Sequence, residues 1–504
     1  MKILSTEQLR EADAYTIAHE PVASVDLMER AAQACQVWLF KKFRRSFVLQ
    51  FFCGNGNNGG DGLAIARLLA DHDVHCEMFV YRVAQNDSPD FSANLARLQK
   101  QGKVAISFLA ENGEEYFPPA NGKIIVDAIF GSGLTREPSE TASRLIDHIN
   151  KQETTVISID LPSGLFGDDN SSNSRKHVVH AAHTLTFQQP KLAFFFPENG
   201  KFTGKFHVFD IGLHPDFIAS AKSHFHYTRH TEAKQLYKPR DLFSHKGSFG
   251  HALIVAGGTG KMGAAVLATQ ACLRAGAGLV TAATTATGNS ILQTAVPEAM
   301  VQIIEGENFI AGKINFDQIT AIGIGPGIGK EEETAHALKL LINEYAGPLV
   351  LDADALNIIA ENKTWLGFLP FGTILTPHPG EFDRLTEKHN SGYDRMETQR
   401  NLATKLGAYI ILKGAYSSIA CPDGTVYFNA SGNPGMATGG SGDVLAGIIT
   451  GLLAQGYLPL AACKLGVYLH GLAGDIAASL HNEEGLIAGD ITDQLGGAWR
   501  MVAE

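Results

Sequence analysis

The sequence contains few cysteines, no concentrated positive charge and no long apolar run. Its six cysteines stand far apart with no Cys-x-x-Cys pair, which favours reduced thiols in a cytosol over a disulfide framework or a zinc site. Cys53 lies beside a glycine-rich loop and could be reactive, but it is better interpreted as a packed apolar residue.

Charge and hydropathy exclude several classes of partner. The 41 basic and 52 acidic residues give a net charge of −11 with no basic tract, so neither nucleic acid nor a membrane is expected as a partner. No apolar run approaches the roughly 20 residues that span a bilayer. Ser5 with Gln8 predicts a helix cap of a mature protein rather than a secretory signal. We therefore expect a soluble protein in the cytoplasm.

Length and patterning predict two α/β domains. At 504 residues the chain exceeds what one core usually organises. Short apolar strands alternate with helices in both halves, which is typical of doubly wound sheets. The alternation lapses between Leu213 and Lys246, where histidines have no grouping with cysteines or acids, so a solvated linker is predicted there. The predicted division is 1–218, a linker at 219–232, and 233–504.

The first glycine-rich loop, residues 54–62, follows an apolar strand and opens a helix. Gly54, Gly56 and Gly59 match the dinucleotide fingerprint in form. The acid expected about twenty residues later would be Glu77, which falls inside a predicted strand instead of at its end. The match alone is therefore weak support for a nicotinamide dehydrogenase.

Three polar segments of the first half each follow a predicted strand, at 57–61, 127–136 and 160–164. Because the carboxyl ends of parallel strands share one crevice, we expect these segments to converge on one ligand. Their carboxylates could bind a cation or exchange a proton. The alternative, that each aspartate only caps a helix or turn, is weaker for three segments in register than for one.

The stretch 432–443 carries the strongest sign of chemistry in the second half. Gly439, Gly440 and Gly442 remove side chains that would keep an anion from the backbone, and apolar residues at helical spacing follow. Unpaired N–H groups at a helix start stabilise a phosphate. Asp443 would repel that ligand unless it is the base for a hydroxyl being phosphorylated; the plainer alternative is a glycine-rich turn with an aspartate cap.

Other strands of the second half also end in glycine, proline or polar residues. The glycine loop 257–265 lacks the Gly-Lys-Ser/Thr ending of a P-loop, so Lys261 is not assigned as a Walker lysine. Further polar strand ends are predicted at 352–354, 376–381 and 413–414.

Together these motifs resemble those of the bifunctional NAD(P)H-hydrate repair enzymes of bacteria, over nearly the whole chain apart from the linker. The segments that resemble the N-terminal, Rossmann-like NAD(P)HX epimerase domain are 54–62, Asp127, 131–136 and 160–164. Those that resemble the C-terminal, ribokinase-like ADP-dependent dehydratase are the glycine loops, 376–381, 413–414 and 433–443. Two departures are Leu161, where the family usually has isoleucine, and His183, where an aspartate is common.

The resemblance implies a substrate, two reactions and their cofactors. The substrate is NADH or NADPH hydrated on the nicotinamide ring, named NADHX or NADPHX. The epimerase interconverts its R and S forms, and the dehydratase restores the S form to the reduced cofactor while ADP gives AMP and phosphate. A potassium ion in the epimerase site and Mg²⁺ with the nucleotide are implied, and we expect a homo-oligomer.

The resemblance also implies site residues, position by position. In the epimerase site the hydrate would contact Asn57, Asn58, Gly59, Gly60, Asp61, Gly131, Ser132, Gly133, Leu134, Thr135, Arg136, Glu137 and Asp160. Potassium would contact Asn58, Asp127 and Ser163. In the dehydratase site the hydrate would contact Ala264, Gly325 or Gly327, His378 and Asp443. The nucleotide would contact Lys413, Gly414, Ala415, Tyr416, Ser417 and Gly442. His378 has a plainer interpretation as a helix-start residue between two prolines.

Residue chemistry fits these roles. When the lone pair of the ring nitrogen forms a C=N bond, phosphate leaves the ring more readily than water does. We therefore expect Asp443 to take the hydroxyl proton while N–H groups from 439–442 stabilise the phosphoryl group. Epimerisation needs ring opening or reversible loss of water, for which one group that accepts and returns a proton suffices, and Asp160 is the predicted group.

Three other functions fit parts of the sequence. A kinase of a small hydroxylated vitamin or sugar would use the same helix start and Asp443, but has no need of the first site. A non-catalytic binding module is expected to have lost Asn58, Asp127 or Asp160, and all three are present. A nicotinamide dehydrogenase leaves the ADP-type site unexplained.

Overall fold

The computed structural model describes residues 1–43, 47–109, 117–306 and 308–504. The chain divides into two compact units. The first comprises 2–223 with 391–393, and the second comprises Met1, 224–390 and 394–504. Across the described ranges, no helix is long and apolar enough to cross a membrane. All six cysteines are free and buried, and burial raises the pKa of the Cys53 thiol, as for a packed residue rather than a reactive one.

The first unit is built on a sheet of parallel strands, as the alternation of strand and helix predicts. From edge to edge its strands are Ala105–Phe108, His75–Val80, Val48–Cys53, Ile124–Ala128, Val156–Ile159, His183–Phe187 and Lys205–Phe209. The described helices are Thr6–His19, Ser24–Phe43, Asn57–Ala70, Pro89–Gln101, Glu140–Asn150, Gly200–Thr203 and Pro215–Ser220.

Successive residues of the strand Val48–Cys53 face opposite sides of this sheet, and helices pack on both sides. Phe51 packs in a cluster with Leu63 of the helix Asn57–Ala70, whereas Phe52 packs in another with Leu145 of the helix Glu140–Asn150. The strand order reverses between Val48–Cys53 and Ile124–Ala128. Ligands of open α/β sheets bind beyond the strand ends at such a point.

The first helix begins as the sequence predicts. The Ser5 hydroxyl accepts from the Gln8 N–H at 3.2 Å, and the Gln8 side chain accepts from the Ser5 N–H at 3.0 Å. This capping box satisfies two N–H groups that the helix leaves unpaired.

The second unit contains a mixed sheet. In order across the sheet its strands are Phe225–Thr228, Val426–Asn429, Ser418–Ala420, Tyr409–Leu412, Ile374–Leu375, Leu349–Leu351, Ala321–Ile324, His251–Val255, Leu279–Thr284 and Met300–Ile303. Ser418–Ala420 is antiparallel to both neighbours, and the other pairs are parallel. The described helices are His230–Lys234, Met262–Arg274, Ala286–Ala295, Glu332–Glu344, Ala353–Glu361, Pro379–Leu385, Gly392–Leu406, Ser441–Ala454, Pro459–His481, Ala488–Asp493 and Leu495–Ala503.

Part of the segment predicted as a solvated linker belongs to this sheet. The strand Phe225–Thr228 pairs in parallel with Val426–Asn429, and His226 stacks on Tyr427 at 4.9 Å between ring centroids. The prediction of a solvated linker rested on the polar character of these histidines. An imidazole can nevertheless pack its apolar ring face against an aromatic side chain. Along the chain, the first unit ends at residue 223 and the second continues from residue 224. The domain boundaries given from the sequence stay a prediction.

The helix Ser441–Ala454 packs directly against the helix Met262–Arg274. A Cβ atom at Gly447 would lie 2.1 Å from the Ala268 carbonyl oxygen, a distance that no side chain tolerates. Glycine therefore lets the two backbones touch, and this contact fixes where the stretch 439–443 sits.

Candidate functional site

The first candidate site is a cavity of about 480 Å³ just beyond the strands Val48–Cys53 and Ile124–Ala128. The three polar segments expected to converge do meet here. The predicted residues that line the cavity are Asn57, Asn58, Asp61, Gly131, Ser132, Gly133, Leu134 and Asp160. The cavity thus lies at the reversal of strand order, where the sheet topology places a ligand.

Asp160 forms a buried ion pair with Lys191, a residue that the sequence did not single out. Their carboxylate and ammonium groups lie 2.7 Å apart, and the two side chains are only 12% and 3% exposed. Thr186 donates to Asp160 at 3.3 Å, and the Ser132 N–H donates to it at 3.2 Å. Burial alone would raise the pKa of Asp160, but the charge of Lys191 and these hydrogen bonds outweigh it and hold the pKa below its ordinary value.

The ion pair predicts a pH-dependent loss of stability in Lys191→Met. Because Asp160 has a lowered pKa in the folded chain, its stabilising contribution is present above the ordinary carboxyl pKa and is lost as pH falls through the folded value. Without Lys191 the carboxylate is buried unpaired, so the free energy of unfolding should fall by about 3 kcal/mol near neutral pH. The loss should shrink in acid, where Asp160 is protonated. Denaturant titrations at several pH values measure it.

Exposed Lys222 provides the control for that experiment. Lys222→Met removes the same charge from the surface and should change stability little at any pH. An equal loss in both variants would contradict a stabilising role for the buried pair.

The predicted potassium ligands form a second group of polar atoms next to the cavity. Asp127 is fully buried and accepts from the Ser158 hydroxyl at 2.7 Å, the Ser163 N–H at 2.9 Å and the Ser163 hydroxyl at 2.5 Å. Burial raises the pKa of Asp127, although these hydrogen bonds act to lower it. The Asn58 side-chain oxygen is buried and, within the described part of the chain, accepts no hydrogen bond. A buried carboxylate and an unsatisfied amide oxygen supply oxygen ligands of the kind that a cation such as potassium takes.

The other residues carried over to the epimerase site lie around this cavity or at the surface. A Cβ atom at Gly59 would lie 1.8 Å from the Gly54 carbonyl oxygen, so that glycine serves the close packing of the loop. Gly60 packs beside Met28. Thr135, Arg136 and Glu137 are exposed, and the Glu137 carboxylate accepts from the Ser174 N–H at 3.1 Å.

His183, the departure from the family pattern, lies away from this site. It begins the strand His183–Phe187, and its Nδ1 is 3.3 Å from Nε2 of His207. It is absent from the cavity lining formed by the described residues. A carboxylate at this position would therefore not face the cavity either.

The second candidate site is the start of the helix Ser441–Ala454. Gly440 caps it with φ of 91°, a left-handed conformation that favours glycine. Asp443 is the third helical residue, so its side chain lies among first-turn N–H groups that have no partner within the helix. The stretch 439–443 therefore begins a helix, as predicted, with a carboxylate in its first turn. Binding of an anion there stays a prediction.

A network of charged side chains surrounds Asp443. Lys413 pairs with Asp352 at 2.9 Å and lies 3.8 Å from Glu381. Asp352 is buried and accepts from the Thr376 hydroxyl at 2.8 Å. Burial, then the charge of Asp352, raises the pKa of Asp443 to about 6, against the opposing effect of Lys413. A carboxyl group with that pKa is mostly ionised at neutral pH and can accept a proton.

Two glycines carried over to this site lie close to the same network. A Cβ atom at Gly325 would lie 1.8 Å from the Asp352 carbonyl oxygen. One at Gly327 would lie 3.3 Å from the Ala264 Cβ. Ala264 and Gly327 are therefore neighbours, and Gly325 supports the turn that carries Asp352.

His378 acts as a helix cap in the structure. Its Nδ1 accepts from the Gly380 N–H at 3.0 Å, and Glu381 accepts from the His378 N–H at 2.8 Å. The imidazole is about half exposed. The helix-start interpretation is therefore correct as far as the fold is concerned, and contact with the hydrate stays a prediction.

The segment predicted to contact the nucleotide joins two antiparallel strands. Residues 413–417, including Ala415 and Tyr416, connect Tyr409–Leu412 to Ser418–Ala420. The Ser417 hydroxyl accepts from the Gly414 N–H at 3.3 Å, which closes the turn. A Cβ atom at Gly442 would lie 3.2 Å from the Lys413 ammonium group, so this hairpin turn and the helix start are adjacent.

Sequence reasoning missed several functional candidates. Asp352 and Glu381 lay in segments noted as polar strand ends but were not assigned a role. His470 carried no motif, yet its Nε2 lies 3.2 Å from the Ser441 hydroxyl, and burial lowers its pKa to about 4. Lys191 gave no signal because it follows a strand as a single lysine among apolar residues.

Comparison with known proteins supports the division into two functional parts. A family model described as NAD(P)H-hydrate dehydratase matches residues 252–495, and one described as YjeF-related protein N-terminus matches 24–193. The bifunctional NAD(P)H-hydrate repair enzyme of Moorella thermoacetica is 35% identical, over 100% of this chain and 98% of its own. That of Coxiella burnetii is 34% identical, over 98% of each chain.

One solved structure is similar to part of the chain. It is the ADP/ATP-dependent NAD(P)H-hydrate dehydratase of Bacillus subtilis, 30% identical over 55% of this chain and 98% of its own, with a TM-score of 0.47. The family models and the full-length relatives show the family, and the two sheets with their helices confirm the expected α/β fold class. The chain belongs to the family of bifunctional NAD(P)H-hydrate repair enzymes, the family that its sequence predicts.

Proposed function

We propose that the first site epimerises hydrated NADH or NADPH and that the second site restores the S form to the reduced cofactor. The second reaction consumes ADP and gives AMP and phosphate. The observation that carries this proposal is the placement of Asp443 in the first turn of an open helix start, beside the Lys413–Asp352 pair. That arrangement suits transfer of a phosphoryl group to an alcohol.

In the second site each residue has a separate task. Asp443 accepts the proton of the ring hydroxyl. The oxygen of that hydroxyl bonds to the β-phosphorus of ADP, and the bond from this phosphorus to the AMP oxygen breaks. The N–H groups of 439–442 stabilise the charge on the transferred group. The ring nitrogen's lone pair then expels phosphate, and loss of a ring proton restores the double bond. Lys413, with the turn 413–417, holds the ADP phosphates.

Magnesium belongs with the nucleotide in this proposal. Asp352, Glu381 and Asp443 place three carboxylates around one lysine, so bound phosphates would meet an excess of negative charge. Mg²⁺ usually takes one or two carboxylates together with phosphate oxygens and water. It would neutralise charge on the phosphates, and Asp352 and Glu381 are the carboxylates placed to approach it.

In the first site Asp160 contacts the hydrate and takes part in proton exchange. Asn57 and Asp61, at the start of the helix Asn57–Ala70, and Ser132 hold the nicotinamide ring in the cavity. Potassium, held by Asn58, Asp127 and Ser163, would offset the buried charge of Asp127 and fix the start of that helix. The unsatisfied oxygen of Asn58 supports this ligand set.

Incubation of the purified protein with hydrated NADH and ADP tests the proposal. We expect near-ultraviolet absorbance of NADH to return together with equal amounts of AMP and phosphate. Repeating the reaction with ATP in place of ADP establishes which nucleotide donates. A kinase of a small alcohol would instead accumulate a stable phosphorylated product without recovery of absorbance, and that result would contradict the assignment.

A further inference from the structure

The first helix, Thr6–His19, presents one carboxyl group to the epimerase cavity. Leu9, Asp13 and Ile17 recur at every fourth position and all line the cavity, because residues four apart lie on one face of a helix. Two of the three are apolar, as expected of a helix that covers a cavity. Asp13 is the exception, and among the described residues no hydrogen bond or ion pair reaches its carboxyl group.

The groups that face Asp13 are mostly carboxylates. Asp61 and Asp90 line the same cavity, and Asp90 accepts from the Ser24 hydroxyl at 2.6 Å. Asp160 is paired with Lys191. On the helix of Asp13 itself, Arg10 donates to the Ser132 carbonyl at 3.4 Å, and within the described ranges it forms no ion pair with an acid. Lys191 pairs directly with Asp160, and its charge also acts on Asp13.

This environment makes Asp13 a group that exchanges protons near neutral pH. Burial, then the charge of Asp160, raises the pKa of Asp13 to about 6, although Lys191 opposes the change. Burial and the charges of Asp160, Asp13 and Asp90 raise the pKa of Asp61 well above its ordinary value. Asp160, in contrast, is held ionised by Lys191.

Resting on the proposed epimerase function, we propose that Asp13 is a second catalytic residue of this site and donates the proton to the departing hydroxyl. Asp160 is ionised by its ion pair and is placed for the opposite task, acceptance of a proton. Asp13 and Asp160 line the same cavity, so both can reach one ligand bound there.

The step balances with these two groups. The ring nitrogen's lone pair forms a C=N bond as the C–O bond breaks, and the Asp13 proton goes to the leaving oxygen, which departs as water. A water molecule then adds to the other face of the same carbon and loses a proton to Asp160. The reverse direction uses the same groups with their protonation states exchanged, so no oxidant or reductant is needed.

Asp13→Asn is the test, measured as the rate of R-to-S interconversion with the full-length protein above the rate in buffer. We expect a fall of about 100-fold or more, the usual contribution of a general acid. In the wild type the rate should decline as pH rises through the pKa of Asp13, since the protonated form is the active one. That decline should vanish in Asp13→Asn and persist, at a reduced rate, in Asp13→Glu.

Glu11→Gln is the matched control, because Glu11 lies on the same helix but is exposed; it should leave the rate and the pH profile unchanged. A folded Asp13→Asn protein within about twofold of the wild-type rate overturns the inference, as does an unchanged pH profile. If Asp13→Asn does not fold, the pH profile of Asp13→Glu decides: a decline displaced from that of the wild type supports the inference, and an identical decline overturns it. If the wild type itself does not accelerate interconversion, the proposed epimerase function fails instead.

Discussion

Asp443→Asn is expected to abolish ADP-dependent recovery of NADH from its hydrate while epimer exchange continues at the wild-type rate. Asparagine keeps the size and shape of the side chain but cannot accept the hydroxyl proton, so the phosphate ester does not form. A lost general base typically costs about 100-fold to 10,000-fold in rate. Recovery of absorbance and release of AMP, followed together, measure the loss.

The pH profile gives a second measure of the same residue. The pKa of Asp443 is raised to about 6, and only the ionised form accepts a proton. Wild-type dehydration should therefore fall as pH drops through that value and level off above it. Asp493→Asn, at an exposed position of the same unit, should retain both the rate and the profile. A variant at 443 that still releases AMP at the wild-type rate would exclude Asp443 as the base.

Asp160→Asn is expected to give the opposite result, with epimer exchange lost and dehydration of the pure S form retained. Asparagine can still accept a hydrogen bond from Lys191, but it cannot take a proton from water. The loss should be about 100-fold or more, and it would appear as incomplete repair of a mixture of R and S forms. Chromatographic separation of the two epimers during incubation measures the exchange directly.

Asp216→Asn is the control for that variant, because Asp216 is 81% exposed and belongs to the same unit. It should leave both reactions unchanged. If Asp160→Asn or Asp443→Asn removed both activities from a folded protein, the assignment of one reaction to each unit would be wrong.

Local sequence signals accounted for the fold and for the loops that surround both sites. Apolar runs of strand length, glycines behind them and the Ser5 capping box each act within a few residues, so they can be recognised without knowledge of the tertiary structure. The convergence of the polar strand ends also followed, since the carboxyl ends of parallel strands share one edge of a sheet.

The features that sequence reasoning missed depend on contacts between residues that are distant in the chain. Lys191 gains its role only because the strand His183–Phe187 returns it to Asp160, 31 positions earlier in the chain. Asp13 lies on the helix that Ser5 and Gln8 predict, but the cavity beneath that helix is formed mostly by residues far along the chain. The strand Phe225–Thr228 was hidden because its partner, Val426–Asn429, lies about two hundred residues away.

The contact of Gly447 with the Ala268 backbone restricts how the second site can move. Two helices that touch through their main chains have no flexible side chains between them to absorb a shift, so neither can roll or slide without a steric clash. Asp443 is thus carried by a helix that is held tightly against its neighbour, and the hairpin turn at 413–417 meets the start of that same helix at Gly442.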